Sequence, residues 1–146
     1  MLKNIPSILS PELLKVLCEM GHSDRICIGD GNFPGAAMAK AKGAIFLRAD
    51  GHGVPELLDA ILSLIPLDTH VEKPVALMEV SAGDNTPEPE IWATYKEILA
   101  KREPDNCQIE MTERFAFYER AKKAYLIIAT GETAIYANVL LKKGVV

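Results

Sequence analysis

Close to its carboxyl terminus the chain carries a phenol and a carboxamide two positions apart, at Tyr136 and Asn138. The neighbouring apolar residues predict a terminal β-strand, and in a strand both side chains would project from the same face. Together they can bind and polarise a small hydroxylated molecule. The alternative is a cross-strand pair on a sheet face, but asparagine is depleted in strands, which favours a functional role for Asn138.

His22 and Asp30 are candidates for acid/base chemistry. His22 follows a helix that Gly21 is expected to end, and it either caps that helix or transfers protons, because imidazole titrates near neutral pH. Asp30 ends a short apolar strand, and ligands of α/β proteins bind outside the carboxyl ends of strands. Its carboxylate either accepts hydrogen bonds from sugar hydroxyls and orients His22, or it forms a turn with its own backbone.

Arg114 and Tyr118 are four residues apart, so they share one face of a predicted helix. They are candidates for ligand binding. The alternative is an arginine whose aliphatic stem covers apolar surface beside a half-buried tyrosine. Phe115 and Phe117, in the same helix, are expected in the core.

Several common kinds of site are missing from the sequence. No glycine-rich loop precedes Lys-Ser or Lys-Thr, no GxGxxG follows a strand, and no serine lies in a GxSxG turn. No histidine, cysteine or aspartate cluster has the spacing of a metal site. The remaining residues can move protons on a polyhydroxylated ligand, and the sequence predicts a sugar site without metal or cofactor.

Composition restricts the class of protein. The chain has 146 residues, of which 49% are apolar, and a net charge of −4. This predicts a single domain over residues 1–146 and argues against nucleic-acid binding, which needs a basic face. No apolar run approaches the length of a membrane span, and the amino terminus does not resemble a signal peptide. Three cysteines without a CxxC motif predict reduced thiols and a cytoplasmic location.

Helical and strand patterns alternate along the chain, which predicts an α/β fold with a mostly buried central sheet flanked by helices. Ser10 is the expected cap of the first helix, and Thr112 of the last. The small-residue stretch 35–42 is assigned no element, and the helix at 91–102 is expected to be exposed. The predicted helices are 11–20, 55–65, 91–102 and 113–123, and the predicted strands are 25–30, 44–48, 75–80, 108–111, 125–130 and one from 136 onward.

With these residues in view, the chain resembles the sugar mutarotase family that contains ribose pyranase and L-fucose mutarotase, and it looks closer to the fucose branch. The block Arg-Phe-Ala-Phe-Tyr-Glu-Arg-Ala and the tail Leu-Lys-Lys-Gly-Val are together highly specific. The resemblance extends over nearly the whole chain, through residues 10–17, 19–22, 30, 33–34, 48–51, 114–121, 136–138 and 140–145.

The resemblance implies an isomerase that interconverts the α and β anomers of L-fucose without a cofactor. It implies that His22 is the catalytic histidine, that Asp30, Arg114, Tyr136 and Asn138 bind the sugar, and that Tyr118 lies beside them. We expect Tyr136 to act as the second proton-transfer group. The family further implies homo-oligomers, often decameric rings, with sites near subunit contacts.

One departure concerns specificity. The fucose branch has Ala-His-Phe-Pro after the aspartate, whereas this chain has Gly-Asn-Phe-Pro, with Asn32 in place of the histidine. Three alternatives to the L-fucose mutarotase remain open: a D-ribose pyranase that interconverts pyranose and furanose forms, a sugar-binding module without catalysis, and a structural oligomer without a ligand.

Overall fold

A six-stranded mixed sheet with helices on both faces forms the protein, as described by a computed structural model of residues 1–146. The strands are β1 (Arg25–Gly29), β2 (Ile45–Ala49), β3 (Val75–Met78), β4 (Ile109–Thr112), β5 (Leu126–Thr130) and β6 (Val139–Lys142). The helices are α1 (Pro11–Glu19), α2 (Gly35–Lys42), α3 (Val54–Leu62), α4 (Ile91–Arg102) and α5 (Arg114–Lys122). None of these helices combines the length and the apolarity that crossing a lipid bilayer requires.

The strand order in the sheet is β2-β5-β1-β6-β3-β4. β5 runs parallel to β1 and β2, and β3 runs parallel to β4, whereas β6 is antiparallel to both of its neighbours, β1 and β3. The other five strands therefore point the same way, and their carboxyl ends share one edge of the sheet with the amino end of β6. We call this edge the carboxyl edge and the opposite one the amino edge.

The sheet is buried on both faces, since side chains alternate along each strand. In β1, Ile26 and Ile28 belong to a core of 25 buried residues that includes side chains of α1, α3 and α4. Cys27, which lies between them, belongs to a second core of 10 buried residues with side chains of α2 and α5, including Phe117 as predicted. The predicted α/β fold with a mostly buried central sheet is confirmed.

The start of α1 agrees with its prediction. Ser10 Oγ accepts a hydrogen bond from the Leu13 N–H at 3.1 Å, and Pro11 occupies the first helical position. The serine satisfies one of the free N–H groups of the first turn, and the proline has no N–H to satisfy. The apolar face of the helix packs on the sheet, and the chain leaves the helix before Gly21, at the amino edge.

The helix α2 is an element that the sequence analysis does not predict. Most of its residues are glycine or alanine, and they lack the apolar periodicity by which a helix is recognised. The tertiary structure makes use of that small size, because a Cβ atom at Gly35 would lie 3.1 Å from Phe46 and 3.2 Å from Ile127. The helix thus starts in close contact with the sheet, and Gly43 ends it with a left-handed φ of 76°.

Two predictions about the second half of the chain are wrong. α4 has the predicted bounds, but it is not an exposed helix, because Trp92, Tyr95 and Leu99 are buried. The final strand begins at Val139 and not at residue 136. The segment before β6 is therefore irregular, and α4 packs against the core close to it.

Candidate active site

The carboxyl edge of the sheet brings together three of the predicted sugar-binding residues. Asp30 follows β1, Asn138 precedes β6, and Arg114 begins α5 shortly after β4. Because β1 and β6 are neighbours, the Asp30 backbone N–H donates a hydrogen bond to Asn138 Oδ1 at 2.8 Å. Sheet topology thus places side by side two residues that are 108 positions apart in the chain.

The Asp30 carboxyl group is nearly buried, with 4% of the residue exposed. Its Oδ1 accepts the Asn32 N–H at 3.0 Å, which is the local turn of the alternative interpretation, and its Oδ2 accepts the Ala137 N–H at 3.3 Å. Burial raises the pKa of Asp30, although these backbone hydrogen bonds oppose the rise. A carboxyl group with a raised pKa is better suited to exchange protons near neutral pH than an exposed aspartate.

Tyr136 lies in a turn with a left-handed φ of 55°, so the prediction that it shares a strand face with Asn138 is wrong. Two side chains of α4 hold this turn. Trp92 Nε1 donates to the Tyr136 carbonyl oxygen at 2.8 Å, and Tyr95 Oη donates to the Ala137 carbonyl oxygen at 2.7 Å. A non-glycine residue keeps this conformation only where its surroundings impose it. The phenol nevertheless reaches the same cavity as the Asn138 carboxamide.

Arg114 and Tyr118 share one face of α5, as predicted, and the Arg114 guanidinium carbon lies 5.7 Å from the Tyr118 ring centroid, a cation–π distance. The helix begins here because the Glu113 carboxylate accepts the N–H groups of the two residues after Arg114. The cap is therefore Glu113 and not Thr112. The prediction of Phe115 as a core residue is also wrong, because it is 64% exposed beside Arg114.

One cavity of about 280 Å³ at the carboxyl edge contains these groups. Its volume is close to the lower limit for small-molecule sites. Five of the six predicted site residues line it, and the sixth, His22, does not. The complete lining is Asp30, Asn32, Phe33, Met78, Asp84, Arg114, Tyr118, Ile135, Tyr136 and Asn138.

His22 lies at the amino edge, in the turn that precedes β1. β1 alone spans five residues, so this edge is separated from the cavity by at least about 13 Å. Within one chain, therefore, His22 contacts neither Asp30 nor Tyr136. Its imidazole instead lies against an aspartate that the sequence analysis does not single out.

That aspartate is Asp68, which is completely buried. Its Oδ1 lies 3.1 Å from His22 Nε2 and accepts the His70 N–H at 2.9 Å, and its Oδ2 lies 3.1 Å from Lys142 Nζ. Burial by itself would raise the pKa of Asp68, but the hydrogen bonds from His70, His22 and Lys142 outweigh it and hold the pKa well below its usual range. The carboxylate is thus ionised, His22 Nε2 carries the proton between them, and His22 Nδ1 is free to accept or donate one.

Comparison with known proteins gives the evolutionary context. Residues 3–146 match the model of the RbsD / FucU transport protein family. The protein belongs to this family. Among its relatives, the fucose mutarotase of Homo sapiens is 48% identical over 151 residues, with 99% of this chain and 94% of that protein covered.

Two solved structures of RbsD / FucU proteins superpose on nearly the whole chain. FucU from Bifidobacterium longum gives a TM-score of 0.93 at 52% identity, with 99% of both chains covered. The fucose mutarotase from Streptococcus pneumoniae, solved in complex with L-fucose, gives a TM-score of 0.91 at 49% identity, again with 99% of both chains covered. The sheet order and both of its edges are therefore those of this family.

The amino edge also holds the one cluster of metal-ligating side chains. Ligand atoms of His22, Asp68 and His70 all lie within 4.8 Å of one another, which local sequence spacing does not indicate. The ammonium group of Lys142 already pairs with the buried carboxylate, and its positive charge opposes a divalent cation there. We interpret the cluster as a support for the His22 imidazole.

The sequence alone does not indicate two residues of this RbsD / FucU site, Asp68 and Asp84. Asp68 lies between Leu67 and Thr69 in the loop that joins α3 to β3, and only the fold shows that it faces His22. Asp84 lies in the polar loop between β3 and α4 and accepts a hydrogen bond from the Tyr136 phenol. An acidic residue in a polar loop is a weak signal, because most such residues are simply solvated.

Proposed function

We propose that the protein is an L-fucose mutarotase, an isomerase that interconverts the α and β anomers of L-fucose. The observation that carries the proposal is the carboxyl-edge cavity, where a nearly buried carboxyl group, a phenol, a guanidinium and a carboxamide converge. The 48% identity to a protein named fucose mutarotase supports the choice of sugar.

Mutarotation requires two proton transfers. An acid protonates the ring oxygen while a base removes the proton of the anomeric hydroxyl, the ring opens to the aldehyde, and it closes again on the other face. Arg114 and the free Nδ2 of Asn138 hold sugar oxygens, and Asp30 accepts hydrogen bonds from hydroxyls. The face of Tyr118 offers an apolar surface for the ring. Each positioned acid or base contributes a factor of about 10² to 10⁴.

We propose His22 and Tyr136 as the two proton-transfer groups, with His22 supplied by a second copy of the chain. His22 lies at the amino edge with its Nδ1 free, while the cavity lies at the carboxyl edge, so one copy must place its amino edge against the carboxyl edge of the next. In that arrangement Asp68 orients the imidazole from behind. The Asp68 side chain is fully buried, whereas the His22 side chain is 40% exposed.

Exposed apolar side chains around the cavity support this contact. Ile135, which lines the cavity, is 48% exposed, and Phe115, beside Arg114, is 64% exposed. Exposed apolar residues that cluster in this way commonly mark an interface. A contact between two different edges is heterologous. Repeated heterologous contacts form a ring when the rotation between copies closes, and the decameric ring that the resemblance implies is of this kind. We further propose the cytoplasm as the compartment, because all three cysteines are free thiols.

The test of the activity is exchange NMR on equilibrated L-fucose, in which saturation of one anomeric proton is transferred to the other. We expect catalytic amounts of protein to accelerate the transfer, and His22→Ala and Tyr136→Phe to slow it by a factor of about 10² or more. Faster exchange with D-ribose than with L-fucose would favour the ribose pyranase. Sugar binding without any acceleration would favour the non-catalytic module.

The test of the shared site uses two defective variants, His22→Ala and Asp30→Asn, each weakly active alone. Co-expressed in equal amounts, they should regain about a quarter of wild-type activity, because one quarter of the heterologous contacts pair an intact His22 with an intact Asp30. A site contained within one chain predicts no recovery at all. Absence of recovery in mixed oligomers of verified composition would refute the second copy as the source of His22.

A further inference from the structure

Asp84 holds the phenol of Tyr136 in a fixed position. Tyr136 Oη donates a hydrogen bond to Asp84 Oδ2 at 2.6 Å and accepts one from the Ser81 N–H at 3.3 Å. The other carboxylate oxygen, Oδ1, accepts both the N–H and the hydroxyl of Thr86, at 2.9 and 2.6 Å. A carboxylate and a phenol that both line the cavity are thus joined by a short hydrogen bond, typical of an ionised acceptor.

The backbone on both sides of this pair is specialised. Tyr136 keeps its left-handed φ, and Gly83, directly before Asp84, also has a positive φ, of 85°. The indole N–H of Trp92 fixes the Tyr136 carbonyl group by a hydrogen bond. Left-handed non-glycine residues cluster at functional sites, where the surrounding structure maintains them. Here the left-handed turn and its hydrogen bond to α4 position the Tyr136 hydroxyl against the Asp84 carboxylate.

The direction of this hydrogen bond matters for the chemistry. The hydroxyl bonds of Thr86 and Tyr136 lower the pKa of Asp84 below its usual range, so the group is an anion that only accepts. Tyr136 Oη therefore points its hydrogen at Asp84 and presents a lone pair elsewhere. A phenol oriented in this way accepts a hydrogen bond from a sugar hydroxyl, and it can take up that proton only if it passes its own to Asp84.

We infer that Asp84 is the terminal proton acceptor of a relay that starts at the anomeric hydroxyl of the sugar and runs through Tyr136. This inference rests on the proposed mutarotase function. During ring opening the O–H bond of the anomeric hydroxyl breaks and its proton bonds to Tyr136 Oη, while the Tyr136 proton moves to Asp84 Oδ2. The electron pair of the broken O–H bond forms the aldehyde C=O, and the C1–O5 pair leaves with O5, which receives a proton from the acid. Ring closure reverses each transfer.

The relay assigns Asp84 a positioning role that acts through Tyr136, distinct from the sugar-binding role of Asp30. Both oxygens of Asp30 accept backbone N–H groups, so that carboxyl group is held by the fold. Asp84 lies on the loop between β3 and α4 and accepts hydrogen bonds only from two hydroxyl groups and one backbone N–H. Of the two carboxylates that line the cavity, only Asp84 bonds to the phenol.

A double-mutant cycle tests the relay. Asp84→Asn keeps the size of the side chain but cannot take up a proton, and it should slow L-fucose exchange by about 10²-fold while KM changes less than about 3-fold. In a Tyr136→Phe background the same substitution should have no further effect, because each substitution alone already interrupts the same proton relay. Glu97→Gln, the same kind of change at an exposed position of α4, serves as the control for lost charge. Multiplicative losses in the double variant, or Asp84→Asn exchange within about 2-fold of wild type, would overturn the relay.

A second measurement covers the case in which the loop shifts in Asp84→Asn. In Asp84→Ala, added formate should restore part of the exchange rate, because a small carboxylate can replace the missing acceptor, and acetamide should not. Equal effects of formate and acetamide would contradict the relay. Wild-type protein that does not accelerate L-fucose exchange refutes the proposed function and the relay with it, whereas an active wild type with an unimpaired Asp84→Asn variant refutes the relay alone.

Discussion

Replacing Tyr95 with phenylalanine tests whether α4 supports the turn that carries Tyr136. The Tyr95 hydroxyl donates to the Ala137 carbonyl oxygen at 2.7 Å, and both residues are fully buried. Tyr95→Phe preserves the ring and its packing but leaves the carbonyl group without its donor in a water-free environment. We expect the free energy of unfolding to fall by about 2 kcal/mol, the typical cost of one orphaned buried acceptor plus the lost bond.

The measurement is urea or thermal unfolding at one fixed protein concentration, because oligomers make the midpoint concentration-dependent. A loss of about 2 kcal/mol lowers the Tm by about 4 to 8 °C for a chain of this size. Tyr125→Phe is the matched control, since Tyr125 is only half-buried and a change there should stay within about 0.5 kcal/mol. If Tyr95→Phe unfolds like wild type, the hydrogen bond does not hold the turn and the physical account of the left-handed Tyr136 fails.

Three further outcomes follow from the structure. Because the folded pKa of Asp68 is depressed, its stabilisation is present above about pH 4 and is lost as the pH falls further, so the difference in Tm between wild type and Asp68→Asn should shrink in acid. Gly131→Ala should lower the free energy of unfolding by about 1 to 3 kcal/mol, because the new Cβ would collide with the Asp50 carbonyl oxygen. Gly51→Ala, with open space around the new Cβ, should leave it unchanged, and equal unfolding curves for the two variants would contradict this. Cys27 is fully buried, and this burial is the main cause that raises the pKa of its thiol, so a thiol reagent should label it only after unfolding. Rapid labelling of the native protein would show that the sheet opens.

Elements with strong local signals are predictable from the sequence. α1 has a serine cap, a proline at its first position and apolar residues at helical spacing, and its start agrees with the structure. β1 and β5 are apolar runs bounded by turn residues, and their positions differ from the predictions by a single residue. α2 has no such signal, because its helix depends on close contact between small residues and the sheet, which only packing can reveal.

The bounds of α4 are predictable, but its burial is not. Its polar and apolar residues are too mixed to indicate a buried face, yet Trp92 and Tyr95 point inward to donate hydrogen bonds to the backbone near Tyr136. The expected strand from residue 136 is wrong for the same reason. A backbone held by two side chains from a distant helix does not continue the sheet, and no local pattern encodes such long-range donors.

By itself the sequence determined which chemical groups the chain carries: a phenol, a carboxamide, an arginine and an aspartate at the ends of predicted elements, and a histidine after the first helix. Local residue types and spacing carry that information. The tertiary structure decided which of these groups meet. Five parallel strands with one antiparallel partner gather Asp30, Arg114, Tyr136 and Asn138 at one edge and leave His22 with Asp68 at the other, because strand order and direction depend on contacts between residues far apart in the chain.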